Sequence, residues 1–222
     1  MFTYSLAGLR LQVAAAEPEE VEESETTARS AVYKLLGELF APPQEGLLEK
    51  LGDGRFAAAL QEAVAMLPYG LVLGGLPLPE AADVHGLAEQ YASYFGVRAG
   101  RSMLCEGRDD GEAKLRREYA YFGLASGGSD DAESRPADHL ATQCEFMQYL
   151  TFREAATDAE RLRFTYRTAQ RDFLERHMLA WVPGMAEEAL GQGPPEPYAW
   201  GLVGIVELLG ADHGYVAGLL VS

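Results

Sequence analysis

Two segments, SRPADHLATQCEFMQYLTF at 134–152 and AQRDFLERHMLAWVP at 169–183, restrict this chain to a helical fold more than anything else in it. In the first, Leu140, Cys144, Met147 and Thr151 recur at spacings of four, three and four. His139, Gln143, Phe146 and Leu150 form a second stripe beside them, so a helix here is apolar over much of its girth and belongs at the centre of a core. Pro136 suits the first helical position, where its missing N–H costs nothing, and Asp138 then falls in the first turn, where a negative charge complements the helix dipole. In the second segment Phe173, Leu174, His177 and Trp181 share one face. Val182, restricted by the proline after it, is the expected end of that helix.

The same period recurs along the chain. Val32, Leu35, Leu36, Leu39 and Phe40 trace a face that Pro42 and Pro43 terminate. A helix is expected over 53–67 with Phe56, Leu60, Ala63, Val64 and Leu67 inward, and another over 84–95 that closes at Gly96. A further helix, capped by Asp109 or Asp110, turns Leu115, Tyr119 and Phe122 inward. Leu202, Ile205, Val206 and Leu209 predict one over 198–209, with a short last helix over 211–221. Residues 68–79, 98–110 and 184–197 read as loops. No segment alternates cleanly in the manner of a strand, so the fold class is all-α, a compact helical bundle.

With 222 residues, 48% of them hydrophobic, the chain can fill one core or two small helical lobes. Residues 17–25 hold six glutamates and no base, so 1–25 are expected to be an acidic, flexible segment, with order starting at Thr26 or Thr27. Residues 125–135, ASGGSDDAESR, can bury almost nothing and read as a hinge between a helical part at 26–124 and a second at 136–222.

The formal charge of −16 argues against nucleic-acid binding and for a basic or apolar partner. The AxA-like end of residues 1–16 lacks the basic n-region of a signal peptide. No uninterrupted apolar run suggests a membrane span, and a soluble, cytoplasmic chain is expected. Cys105 and Cys144 are too far apart for a CxxC pair, and Cys144 lies on an apolar stripe as a buried thiol would. His85, His139, His177 and His213 show no HExxH or HxH spacing, and neither a G-x-S-x-G elbow nor a glycine-rich phosphate loop occurs. No catalytic residue, metal ligand or cofactor is therefore assigned. Two other classes stay open: a helical metal-dependent hydrolase using His139, Glu145 and His177, and a generic acidic adaptor for basic helices.

The Pro-x-Asp-His-Leu run at 136–140, the triplet Glu145-Phe146-Met147 and the Phe-Leu-x-x-His-x-x-x-Trp-x-Pro run at 173–183 resemble the TorD/DmsD/NarJ family of molybdoenzyme-specific chaperones. The longer wording is most similar to the branch serving type II dimethyl sulfoxide reductase enzymes. The resemblance spans 85–185 well and the first helix fairly. It implies a TorD-like helical bundle, monomeric or a homodimer that exchanges parts through the hinge. It also implies a cytoplasmic chaperone that binds the apo catalytic molybdenum subunit and its twin-arginine signal peptide, assists cofactor insertion and delays export. Such a peptide carries two adjacent positive charges before an apolar stretch, which calls for an apolar groove with carboxylates at one end. The candidates are Tyr119, Phe122, Leu140 and Met147 for the groove, and Asp138, Glu145 and Glu118 for the arginines, with His139 beside them. Arg135 stands where many relatives have an acid, and Gln143-Cys144 replaces a common Glu-Leu.

Overall fold

The structure is a computed structural model and describes residues 4–5, 22–71, 82–96, 102–107, 111–125 and 135–221. It is all-α. Its helices are α1 (Glu22–Phe40), α2 (Glu45–Gly52), α3 (Arg55–Ala65), α4 (Leu87–Phe95), α5 (Gly111–Tyr121), α6 (Leu140–Ala155), α7 (Glu160–Phe173), α8 (Leu179–Gly191) and α9 (Glu196–Leu219). One π-helical turn, Leu174–Met178, joins α7 to α8. The only strand pairing among the described residues sets β1 (Tyr4–Ser5) parallel to β2 (Leu124–Ala125), two residues each.

Helix α6 is the centre of the bundle, as its two apolar stripes require. Twelve of its sixteen residues are buried, which no one-sided surface helix achieves. Helix α1 lies along it and contributes Val32, Tyr33, Leu36, Leu39 and Phe40 to the same core. Helix α9 crosses α1 at Gly201, where a Cβ would overlap Leu39 Cδ2. Helices α3 and α4 close one side through Phe56, Leu60, Leu87 and Phe95. The core is thus continuous between residues before and after the expected hinge, of which 126–134 lie outside the described residues.

Several local expectations change. The central helix starts at Leu140 and not at Pro136, because Pro136 to Asp138 form a turn: His139 N–H donates to Pro136 O at 3.1 Å, and the helical ladder begins one turn later. Helix α8 runs through Pro183 to Gly191. Val182 is fully buried, and the packing that buries it outweighs the local preference of a residue before proline. Helix α9 is one continuous element where two were expected. Helix α2 was missed, although Leu47 and Leu51, both buried, repeat at a helical spacing.

Helix α1 begins at Glu22, inside the glutamate run. Residues 102–107, expected on the surface, instead tuck Leu104 wholly into the core. The expected cap at Asp109 or Asp110 and most of 68–79 lie outside the described residues. By length and composition α9 would suffice to cross a bilayer. It is nevertheless a core helix, with eleven residues buried, among them Asp212 in an ion pair with Arg29.

Candidate functional site

The Pro-x-Asp-His-Leu run is a clamp on the 102–107 loop. Glu106 N–H donates to Asp138 O at 3.0 Å and Leu140 N–H donates to Leu104 O at 2.7 Å, an antiparallel bridge between Cys105 and His139. The Asp138 carboxylate accepts from Gly107 N–H at 3.2 Å. His139 caps α6: its Nδ1 accepts from Ala141 N–H at 3.1 Å. That role requires the neutral imidazole, and burial, helped by Arg135, pushes the His139 pKa down to about 3. Both side chains are almost fully buried, at 2% and 5% exposure.

A second cluster is built on that loop. His177, in the π turn, sets Nδ1 3.1 Å from Glu106 Oε2 and Nε2 3.4 Å from Glu118 Oε1 on α5. Burial opposes its charge, but the two carboxylates prevail and raise its pKa to about 9. Gln143 extends the chain of bonds, donating to Glu106 at 3.1 Å and accepting from Trp181 Nε1 at 3.3 Å. The cluster therefore ties α5, the loop, α6, the π turn and α8 together. Glu145, expected to meet an arginine, meets Arg135 of its own chain. Burial raises the Glu145 pKa against that pairing.

Beside the cluster a groove of about 390 Å³ opens between α5 and α7. Its α5 wall is Glu118, Tyr121 and Phe122, its floor Phe146 and Phe173, and its α7 wall runs from Phe164 to Asp172, with Arg176 beyond. Edge-on ring contacts fix the floor, with Phe146 at 4.8 Å from Phe173 and 5.6 Å from Phe122. Tyr121 and Phe164 stand 79% and 56% exposed at its mouth. Large aromatic side chains this open to water, next to a concave apolar floor, mark an interaction surface more readily than a scattered apolar residue does.

Of the residues expected to line a groove, Phe122 and Glu118 do so. Tyr119, Leu140 and Met147 are fully buried in the core, and Tyr119 O–H donates to Ala137 O at 2.8 Å. Sequence reasoning did not find Glu106, which lies in an aperiodic loop, or Phe164, whose helix was not anticipated. His177 was visible on its stripe and Glu118 was a named candidate, but nothing in the sequence said that the two meet. His139, Glu145 and His177 bond to different partners. Among the described residues no group of three or more His, Cys, Asp or Glu side chains is placed to hold a metal, and nothing supports the hydrolase alternative.

The site is thus an all-α bundle whose central helix is clamped at its start, with an open aromatic groove beside it. A family model described as nitrate reductase delta subunit matches residues 53–187, more than half of the chain. The chain belongs to that family. It is 33% identical over 194 residues to the perchlorate reductase assembly chaperone protein of Dechloromonas aromatica, covering 74% of this chain and 78% of that one. To the dimethyl sulfide dehydrogenase assembly chaperone protein of Rhodovulum sulfidophilum it is 30% identical, over 77% of this chain and 72% of that one. To the selenate reductase assembly chaperone protein of Thauera selenatis it is 42% identical over 82 residues, 35% of this chain and 39% of the relative.

Proposed function

We propose that this chain is an assembly chaperone for the catalytic subunit of a molybdenum-containing reductase of the dimethyl sulfoxide reductase family. It binds the apo subunit in the cytoplasm, holds it while the cofactor is inserted, and engages its twin-arginine signal peptide so that export waits for maturation. The chain works by binding and not by catalysis. It needs neither nucleic acid nor a membrane. It acts as a monomer or as a homodimer that exchanges parts through 125–135.

The observation that carries this reading is the open aromatic groove between α5 and α7, on a chain whose relatives are named as assembly chaperones. A protein that must hold an incompletely folded client needs accessible apolar surface that its own core does not consume. Affinity purification of the tagged chain from its native host, with mass spectrometry of what accompanies it, tests the proposal. A molybdoenzyme catalytic subunit that still carries its signal peptide is the expected companion. Recovery of only mature, cofactor-loaded enzyme, or of no such subunit under conditions that express it, overturns the reading.

A further inference from the structure

Beyond that reading, we propose that His177 is a two-sided latch coupling the α5–α7 groove to the 102–107 loop: when α5 parts from the π turn at Glu118, the loop and the Asp138 clamp on it loosen. The π turn places the latch. Leu179 N–H donates to Leu174 O, five residues back, and this wider turn sets His177 against the groove floor, its ring 5.1 Å from that of Phe173. From there Nε2 reaches Glu118 on the α5 wall at 3.4 Å, and Nδ1 reaches Glu106 in the loop at 3.1 Å. Both partners are carboxylates, which only accept, so an imidazole that satisfies both donates through both nitrogens and is charged. The same two carboxylates keep it charged at neutral pH by raising its pKa to about 9.

The elements on either side of the latch differ in how firmly they are held. Leu174, His177 and Met178 of the π turn are buried, whereas α5 buries only Gly111, Leu115 and Tyr119 of its eleven residues. An element with so few buried contacts is the one that opens at least cost. Glu118 lines the groove and Glu106 does not, so a movement of the α5 wall passes through the imidazole before it reaches the loop. On the loop side Glu106 is tied to the clamp: its N–H donates to Asp138 O at 3.0 Å and its carboxylate also accepts from Gln143 at 3.1 Å. A second tie runs from α5 to the same region, from Tyr119 O–H to Ala137 O at 2.8 Å, next to Asp138. Coupling through Tyr119 is indifferent to His177, and coupling through the latch is not. A double variant separates the two.

Amide hydrogen exchange of the full chain, followed by NMR, tests the latch with no client present, so its outcome is separate from that of the chaperone reading. Glu118→Ala, at a partly exposed helical position where folding is not at stake, is expected to speed exchange of the Glu106 and Gly107 amides at least about fivefold, the lower end of ordinary coupling between sites. The Cys144 and Leu150 amides, in the buried middle of α6, should keep their rates. His177→Gln retains one donor for Glu106 but does not span both carboxylates, and should speed the same two loop amides. In that background Glu118→Ala should add nothing, the non-additivity that marks a shared path. Unchanged Glu106 and Gly107 amides in Glu118→Ala overturn the proposal. So does the same extra speeding by Glu118→Ala with and without His177, which would give the coupling to Tyr119. Equal speeding of the Cys144 and Leu150 amides also overturns it, because the variant has then lost stability everywhere. A nitrogen NMR spectrum at neutral pH in which His177 holds a single ring proton sinks it too, since a neutral ring cannot donate to both carboxylates.

Discussion

Two histidines with opposite electrostatics set how this protein answers to pH. His177 has its pKa raised from 6.5 to about 9 by Glu106 and Glu118, so the stability it contributes is full below about pH 6.5 and is lost as pH rises through about 9. His139 has its pKa lowered from 6.5 to about 3; its contribution is present above about pH 6.5 and is lost as pH falls toward 3. Thermal melts across pH 4–10 should therefore show the parent chain losing stability on both sides of a maximum near neutrality. His177→Gln should flatten the alkaline limb alone, and His139→Asn, which keeps a capping oxygen, the acid limb alone. A variant that flattens both limbs would show that the two clusters are coupled through the 102–107 loop. At Asp138 the bond from the half-buried Gly107 N–H predicts that Asp138→Ala costs about 1.5–3 kcal/mol in urea unfolding, the usual worth of a hydrogen bond to a carboxylate. The bond was not legible beforehand: the sequence places Asp138 next to His139, and nothing in it says that residues 102–107 return to meet them.

Among the helices, what was readable is what is periodic. The central role of α6 follows from two adjacent stripes, and the inner faces of α1, α3 and α5 were visible in Leu36, Leu60 and Leu115. What escaped is what packing decides against a local signal. Pro183 argues for a helix end, but Val182 and Met185 are buried on either side of it, and the helix continues. The π turn has no sequence mark. Yet by shifting register just before α8 it accompanies the placement of His177 between its carboxylates, the setting in which such turns recur. Helix α9 was divided at Gly210. Gly210 and Gly214 are poor helix formers, yet both face open space, where an added Cβ would meet nothing within 4 Å, whereas Gly201 is crowded. That contrast gives two predictions of opposite sign on one helix. Gly214→Ala should stabilise by about 0.5–1 kcal/mol, the ordinary gain for relieving a helical glycine. Gly201→Ala drives a methyl into Leu39 Cδ2 and to 3.2 Å from Phe40 Cζ, and should destabilise by about 1–3 kcal/mol. Chemical denaturation of the two variants side by side separates propensity from packing.

At the scale of the whole molecule, one buried arginine joins elements that are far apart in sequence. Arg29 of α1 is 0% exposed and donates to Asp212 of α9 at 2.5 Å, to Gln170 of α7 at 2.5 Å and to Glu154 of α6 at 3.3 Å. Tyr33 and Tyr69 donate to Asp212 at 2.8 and 2.6 Å, and Arg167 to Glu154 at 2.5 Å. Burial opposes the charge on Arg29, but Asp212 and Glu154 beside it hold the guanidinium protonated. Two positive and two negative charges close the network, and no binding role is needed to account for it. Its satisfaction makes it fragile to single changes: Arg29→Met strands Asp212 with only its tyrosine donors and should cost about 3–5 kcal/mol. For a chain of this length that lowers Tm by roughly 6–20 °C. The double variant Arg29→Met with Asp212→Leu removes both charges of the closest pair and should recover part of that loss, because replacing a buried pair by apolar groups is often near neutral. Client-peptide affinity measured below the new melting temperature should be unchanged in both variants, since the network does not line the α5–α7 groove. If the double variant is no more stable than the single one, the remaining partners, Glu154 and Gln170, carry the network. Arg29 would then be anchored chiefly to α6 and α7, and α9 held to the bundle by its apolar face alone.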